Sequence, residues 1–90
     1  MTSRGEPAFL EAARTRVLLG DGAMGTQLQR AGLEPGGCGE AWNFEHPDRV
    51  LAIQRAYAGA GSDCLITNTF GASRIMLERH GHAARVAEIN

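Results

Sequence analysis

The stretch Val17-Leu18-Leu19-Gly20-Asp21-Gly22 constrains this chain more than any other, because an apolar run halts at a carboxylate set between two glycines. Three branched apolar residues in succession suit a strand buried on both faces, as in a parallel sheet covered by helices. Glycines at 20 and 22 permit a sharp turn or a close approach, which leaves the Asp21 side chain displayed at the strand's carboxyl end. Cys64-Leu65-Ile66 repeats the plan and runs out into Thr67-Asn68-Thr69-Phe70-Gly71, a cluster of small hydrogen-bonding side chains. Ligands of α/β folds bind beyond the carboxyl ends of strands. Asp21 and the Thr67 to Thr69 cluster are therefore expected to face one pocket.

The segments between these two strands read as helices. Residues 1 to 6 are polar and expected to fray, and Pro7 to Arg14 reads as a short helix with Phe9, Leu10 and Ala13 on one side, placed to cap the bottom of a barrel. Strand one spans roughly Arg16 to Leu19, and a helix from about Met24 to Ala31 ends at Gly32. Leu33 to Asn43, with Pro35 and glycines at 36, 37 and 39, reads as a loop. Pro47 and Asp48 open the best helix, whose Val50, Ile53 and Tyr57 share a face and which Gly59 and Gly61 stop. After strand two, a helix over about Ala72 to His80 presents Ile75, Met76 and Leu77, and another begins near Ala83 with Val86 and Ala87 in phase. A β-helix-loop-helix-β crossover between parallel strands is right-handed.

The expected fold class is α/β, the first two βα units of a TIM (β/α)8 barrel. Residues 1–15 read as an extension with a short helix, and 16–90 as an incomplete barrel domain. Such a barrel takes ~250 residues, so 90 residues are expected to be an amino-terminal portion with poor stability in isolation. A formal net charge of −1 and 43% hydrophobic content carry no basic stripe for nucleic acid. The apolar runs fall far short of the ~20 residues that span a bilayer, and no signal-peptide core is read, so the expected location is cytoplasmic. Cys38 and Cys64 read as reduced thiols.

Gly20-x-Gly22-x-x-Gly25 also has the spacing of a dinucleotide-binding turn. Two objections stand against it: Asp21 would oppose a pyrophosphate, and no acidic residue ends a strand some 20 residues later to hold a ribose. A carboxylate here suits a cation, such as the ammonium of an amino acid. The plain alternative is that Asp21 caps the following helix. Thr67, Asn68 and Thr69 could bind a carboxylate or carbonyl, or could satisfy the turn's own backbone. Phe70, Trp42 and Tyr57 read as packing residues. His46, His80 and His82 show no ligand spacing, and Cys38 reads as part of its glycine loop rather than a nucleophile or metal ligand.

Gly20-Asp21-Gly22-Ala23-Met24-Gly25-Thr26, His46-Pro47 opening a helix, Ala58-Gly59-Ala60-Gly61-Ser62-Asp63 and Thr67-Asn68-Thr69-Phe70-Gly71-Ala72 together resemble the homocysteine-binding domain of the homocysteine S-methyltransferases. The resemblance covers about residues 16 to 90. It implies a methyl transfer to the thiol of homocysteine, held by zinc on three cysteines of later strands, with methionine as product. A zinc-bound thiol is deprotonated, whereas a free one is mostly protonated at neutral pH. The resemblance implies that Asp21 takes the substrate's ammonium, that Gly22 brings backbone to the amino-acid end, that Thr69 reaches the carboxylate or amino group, and that Asn68 is adjacent. Cobalamin or folate is implied as the methyl source, without excluding betaine or S-methylmethionine. Cys38 and Cys64 do not match the zinc ligands, so no catalytic or metal residue is expected here, and the remainder of the barrel is the expected partner. The rivals are a different barrel enzyme that binds another amino acid or a phosphorylated ligand, a dinucleotide-binding module and a non-catalytic fragment. NAD(H) is expected to leave the melting temperature unchanged in a thermal-shift titration; a concentration-dependent rise would favour the dinucleotide module.

Overall fold

The computed structural model describes residues 5–90, and within them it is mostly helical. The fraying expected of the first residues falls outside the described part at 1–4. In chain order the helices are α1 (Gly5–Thr15), α2 (Gly25–Arg30), α3 (Trp42–Glu45), α4 (Pro47–Gly59), α5 (Arg74–Glu78) and α6 (Val86–Ile89), with 3-10 turns at Gly39–Ala41 and Ala83–Arg85.

The helix boundaries follow local chemistry. Pro47 occupies the first turn of α4 after His46, as its fixed φ and missing N–H favour. α2 and α4 both end in a glycine of positive φ, Gly32 at 119° and Gly61 at 113°. Beyond each glycine the chain folds back: Leu33 N–H reaches Leu28 O at 2.9 Å, and Ser62 N–H reaches Tyr57 O at 3.1 Å. These 6→1 bonds satisfy carbonyls that a helix end leaves open. Ser73 caps α5 by accepting from Met76 N–H at 3.2 Å.

Two apolar clusters hold the helices together. Leu28, Trp42, Val50 and Ile53 form one, with Met24, Leu33 and Tyr57 against it, so α2, α3 and α4 share a core. Ala72, Leu77 and Ile89 form the other, packed by Cys38, Phe44 and Val86. The stretch expected as a loop through Asn43 is thus shorter than the sequence implies. Trp42 is buried in the first cluster and starts a helical turn that carries the chain straight to α4.

Neither expected strand forms among the described residues; a single parallel bridge, Gly20 to Cys64, stands in their place. The reason lies in what the backbone groups bond. Leu19 O accepts from Asp63 N–H at 2.8 Å and Cys64 N–H at 3.1 Å. On either side, side chains take over: Asp63 Oδ2 accepts Leu19 N–H at 2.9 Å and Asp21 Oδ2 accepts Ile66 N–H at 3.0 Å. The register of a parallel pair is therefore kept at its centre while carboxylates replace backbone acceptors at its ends.

Both stretches are open to solvent on their outer sides. Val17 is 83% and Ile66 70% exposed, and Leu19 and Leu65 are exposed as well. Of the face expected on α5 only Leu77 is buried, Ile75 and Met76 being exposed. α1 likewise leaves Phe9 and Leu10 exposed instead of capping a barrel. The radius of gyration, 15.2 Å, exceeds the ~12 Å of a compact chain of this length. No described helix is long and apolar enough to cross a membrane.

Asp63 is held below the usual carboxylate range, first by the Leu19 N–H and then by Arg16, whose Nη1 lies 3.1 Å from Oδ1. A carboxyl lowered on folding stabilises the folded state above its ordinary value near ~4 and loses that contribution as pH falls through the lowered one. Thermal melts between pH 6 and 2 are therefore expected to show an acid-induced drop that is smaller in Asp63→Asn. An identical drop in both would remove Asp63 as its source.

Candidate functional site

The bridge and its flanking carboxylates bring the two strand ends together, and a hollow of about 430 Å³ opens beside them. Asp21, Gly22, Glu40, Thr67, Thr69 and Phe70 are among its lining residues. Asp21 and Thr67 to Thr69, the residues expected from sequence to share a pocket, all line this hollow.

Asp21 does not cap α2. Met24 occupies the N-cap position and no side chain caps it. The carboxylate bonds across the gap instead, with Oδ2 on Ile66 N–H, while Oδ1 is buried without a hydrogen-bond partner. A buried carboxylate oxygen without a donor is costly, and a ligand N–H, above all a charged one, would relieve it.

The turn that carries Asp21 is pinned from α4. Tyr57 OH donates to Ala23 O at 2.7 Å, and its ring lies against Gly22. A Cβ on Gly22 would meet the Tyr57 hydroxyl at 3.0 Å, so a side chain here would push the ring back from the turn. Tyr57 is the packing residue expected from its helical face, with a polar tip that fixes the site.

Across the hollow, the Thr67 and Thr69 hydroxyls share a hydrogen bond at 2.8 Å. Asn68, between them, also lines the hollow and is buried. Its Nδ2 donates to Gly39 O at 2.9 Å and to Asn43 Oδ1 at 3.0 Å. Phe70 is not a core residue: at 104% relative exposure it stands free at the edge of the hollow.

Two residues were not legible as site components. Glu40 lines the hollow and its Oε2 accepts Gly71 N–H at 3.0 Å. Asn43 donates from Nδ2 to Asn68 O at 2.9 Å and to Ile89 O at 3.0 Å. The available signal was a lone carboxylate and a lone amide beside a tryptophan, inside a stretch whose glycines read as loop.

The remaining candidates are structural. His46 packs edge-on to Trp42 at 5.0 Å and His82 edge-on to Phe44 at 5.6 Å, while His80 is exposed. Both cysteines are free. Burial pushes the Cys38 thiol up, and neighbouring Glu40 adds to this, which opposes the thiolate a nucleophile or metal ligand needs. Among the described residues no three His, Cys, Asp or Glu side chains converge as a metal site. The donor set present does not fit zinc. The glycine turn leads into an α2 of six residues, too short to offer a pyrophosphate much helix dipole.

Comparison with known proteins adds to this geometry. A family model described as homocysteine S-methyltransferase matches residues 18–90. The chain is 42% identical over 90 residues to a protein named methionine synthase from Mycobacterium tuberculosis (strain ATCC 25618 / H37Rv), the match covering 91% of this chain and 7% of that one. It has the same identity and coverage, 42% over 90 residues, 91% and 7%, with a methionine synthase from Mycobacterium leprae (strain TN). The chain thus spans about 7% of the length of these curated relatives.

Removing the Asn68 amide would leave buried Gly39 O and Asn43 Oδ1 without their donor. Asn68→Ala is expected to cost on the order of 1–3 kcal/mol in denaturant unfolding. A cost below about 0.5 kcal/mol, within the range of ordinary surface changes, would show that the amide does not brace the fold.

Proposed function

We propose a function from one premise: the chain belongs to the homocysteine S-methyltransferase family. It supplies the amino-acid grip of a methyltransferase that forms methionine from homocysteine, acting in a cytoplasmic protein together with further strands of a (β/α)8 barrel. The single observation that carries this reading is the buried, unpartnered Oδ1 of Asp21 beside a hollow whose other wall holds the Thr67 and Thr69 hydroxyls.

Homocysteine carries an ammonium and a carboxylate on one carbon, with its thiol at the end of a flexible arm. Asp21 Oδ1 accepts from the ammonium, replacing an unsatisfied buried acceptor with a charge-assisted hydrogen bond. Gly22 presents backbone to the amino-acid end, its missing side chain leaving room for the Tyr57 ring that pins the turn. Thr69, steadied by the bond from Thr67, donates to the carboxylate. Asn68 contributes by holding the turn, its amide being directed to Gly39 and Asn43.

The grip leaves the thiol arm pointing away from these residues. The donor set here does not fit zinc, so the role of this chain lies at the amino-acid end of the substrate and not at its sulfur. A methyl donor such as a cobalamin or a folate would meet the substrate at that other end. The exposed outer sides of Val17, Leu19, Leu65 and Ile66 suit burial by neighbouring strands and covering helices, as a barrel wall requires.

The test is Asp21→Asn in the intact polypeptide, read by calorimetric titration with homocysteine. Asn keeps an acceptor for Ile66 N–H and removes the charge. Affinity is expected to fall by the worth of a charged hydrogen bond, about 1.5–3 kcal/mol. Unchanged affinity would reduce Asp21 to a tie between the strand ends and sink the assignment.

A further inference from the structure

The strongest feature that this reading leaves unused is the set of bonds between residues 38–43 and 68–71. Glu40 Oε2 accepts Gly71 N–H at 3.0 Å, and Cys38 Sγ lies 3.9 Å from Glu40 Oε1 as a weak donor. Asn43 and Asn68 bond reciprocally, Nδ2 of Asn43 to Asn68 O at 2.9 Å and Nδ2 of Asn68 to Asn43 Oδ1 at 3.0 Å. Asn68 Nδ2 also reaches Gly39 O at 2.9 Å. These bonds brace both ends of a four-residue span, Asn68 and Gly71 being its fixed points and Thr69 and Phe70 lying between them.

Glu40 has a distinct place in this brace, because it is a carboxylate that lines the same hollow as Thr69. The fit at Gly71 is close: a Cβ there would stand 3.3 Å from Glu40 Oε2. The Asn pair holds the buried end of the turn; at the end that follows Phe70, Ala72 N–H bonds Thr69 O at 3.1 Å and Glu40 supplies the one side-chain acceptor, at Gly71 N–H. With the Glu40 bond gone, Gly71 N–H loses its acceptor and the Thr69 to Ala72 turn is tied on the side of the hollow by its own backbone bond alone.

We propose that Glu40 is a positioning residue for the carboxylate end of the substrate. Its bond to Gly71 N–H sets where the Thr69 hydroxyl stands, and so sets the preference for an amino acid over the corresponding amine. The proposal rests on the homocysteine reading of the site. It separates the two ends of the ligand, with Asp21 answering to the ammonium and Glu40, through Thr69, answering to the carboxylate.

The experiment compares homocysteine with 3-aminopropane-1-thiol, which is homocysteine without its carboxylate, in calorimetric titrations of the intact polypeptide. Glu40→Met keeps the length of the side chain and removes the acceptor; Glu40→Gln keeps an acceptor oxygen. Glu40→Met is expected to weaken homocysteine about tenfold, the worth of one well-placed hydrogen bond, and to leave the amine within twofold. Glu40→Gln should restore the wild-type ratio. Hydrogen exchange of the Gly71 amide should quicken in Glu40→Met and recover in Glu40→Gln. Equal weakening of both ligands would make Glu40 a merely structural brace, and unchanged homocysteine affinity would remove it from the site; either overturns the proposal. Failure of the wild type to bind homocysteine would instead sink the reading of the site, and unaltered Gly71 exchange in Glu40→Met would then overturn the brace on its own.

Discussion

The hydrogen bond from Ile66 N–H to Asp21 Oδ2 at 3.0 Å is the interaction on which the site depends. It joins the ends of two extended stretches that are otherwise linked by one parallel bridge, the Leu19 carbonyl, the Ser62 hydroxyl on Gly20 O and the bonds of Asp63 to Leu19 N–H and Arg16. By committing one carboxylate oxygen to the neighbouring chain segment, it fixes the other, Oδ1, in a buried position with no donor. The same side chain therefore closes the strand pair and leaves one acceptor open. A residue free to rotate would solvate both oxygens and hold nothing.

The surroundings explain why such a carboxylate stays in place. Tyr57 crosses from α4 to bond Ala23 O and presses on Gly22, so the turn cannot swing away. α4 is itself set by a proline at its start and a left-handed glycine at its end, and its Val50 and Ile53 lie in the same core as Leu28 and Trp42. The chain of cause runs from helix caps, through a small apolar core, to one phenol and one carboxylate.

This ordering accounts for what was legible in the sequence. Helix limits at Pro47, Gly32 and Gly61 could be read because they are set within a few residues by φ preference and missing donors. Asp21 and the Thr67 to Thr69 cluster could be read as pocket-facing because two similar apolar runs end at them. The strands themselves could not be read correctly from apolar runs alone: pairing is non-local, and here Asp21 and Asp63 take the N–H groups that a longer ladder would give to backbone carbonyls. Glu40 and Asn43 were hidden for a related reason. Their partners, Gly71 and Asn68, lie 31 and 25 positions along the chain, and no local pattern announces a bond of that span.

Asn68 shows how the two kinds of information combine. As one of three polar residues past a strand end it invites assignment as a ligand, yet it sits at a bend and its amide is spent on Gly39 O and Asn43 Oδ1, while the hydroxyls of Thr67 and Thr69 flank it. Those two hydroxyls meet each other on the pocket side, while the amide between them is buried among Gly39 and Asn43. The polar cluster is thus divided into two hydroxyls that bond each other and an amide that braces the turn. An amide able to donate twice is suited to bracing, because one side chain ties the turn to two other points of the chain. The hydroxyls, each both donor and acceptor, bond each other and keep hydrogen-bonding capacity toward the hollow that their residues line.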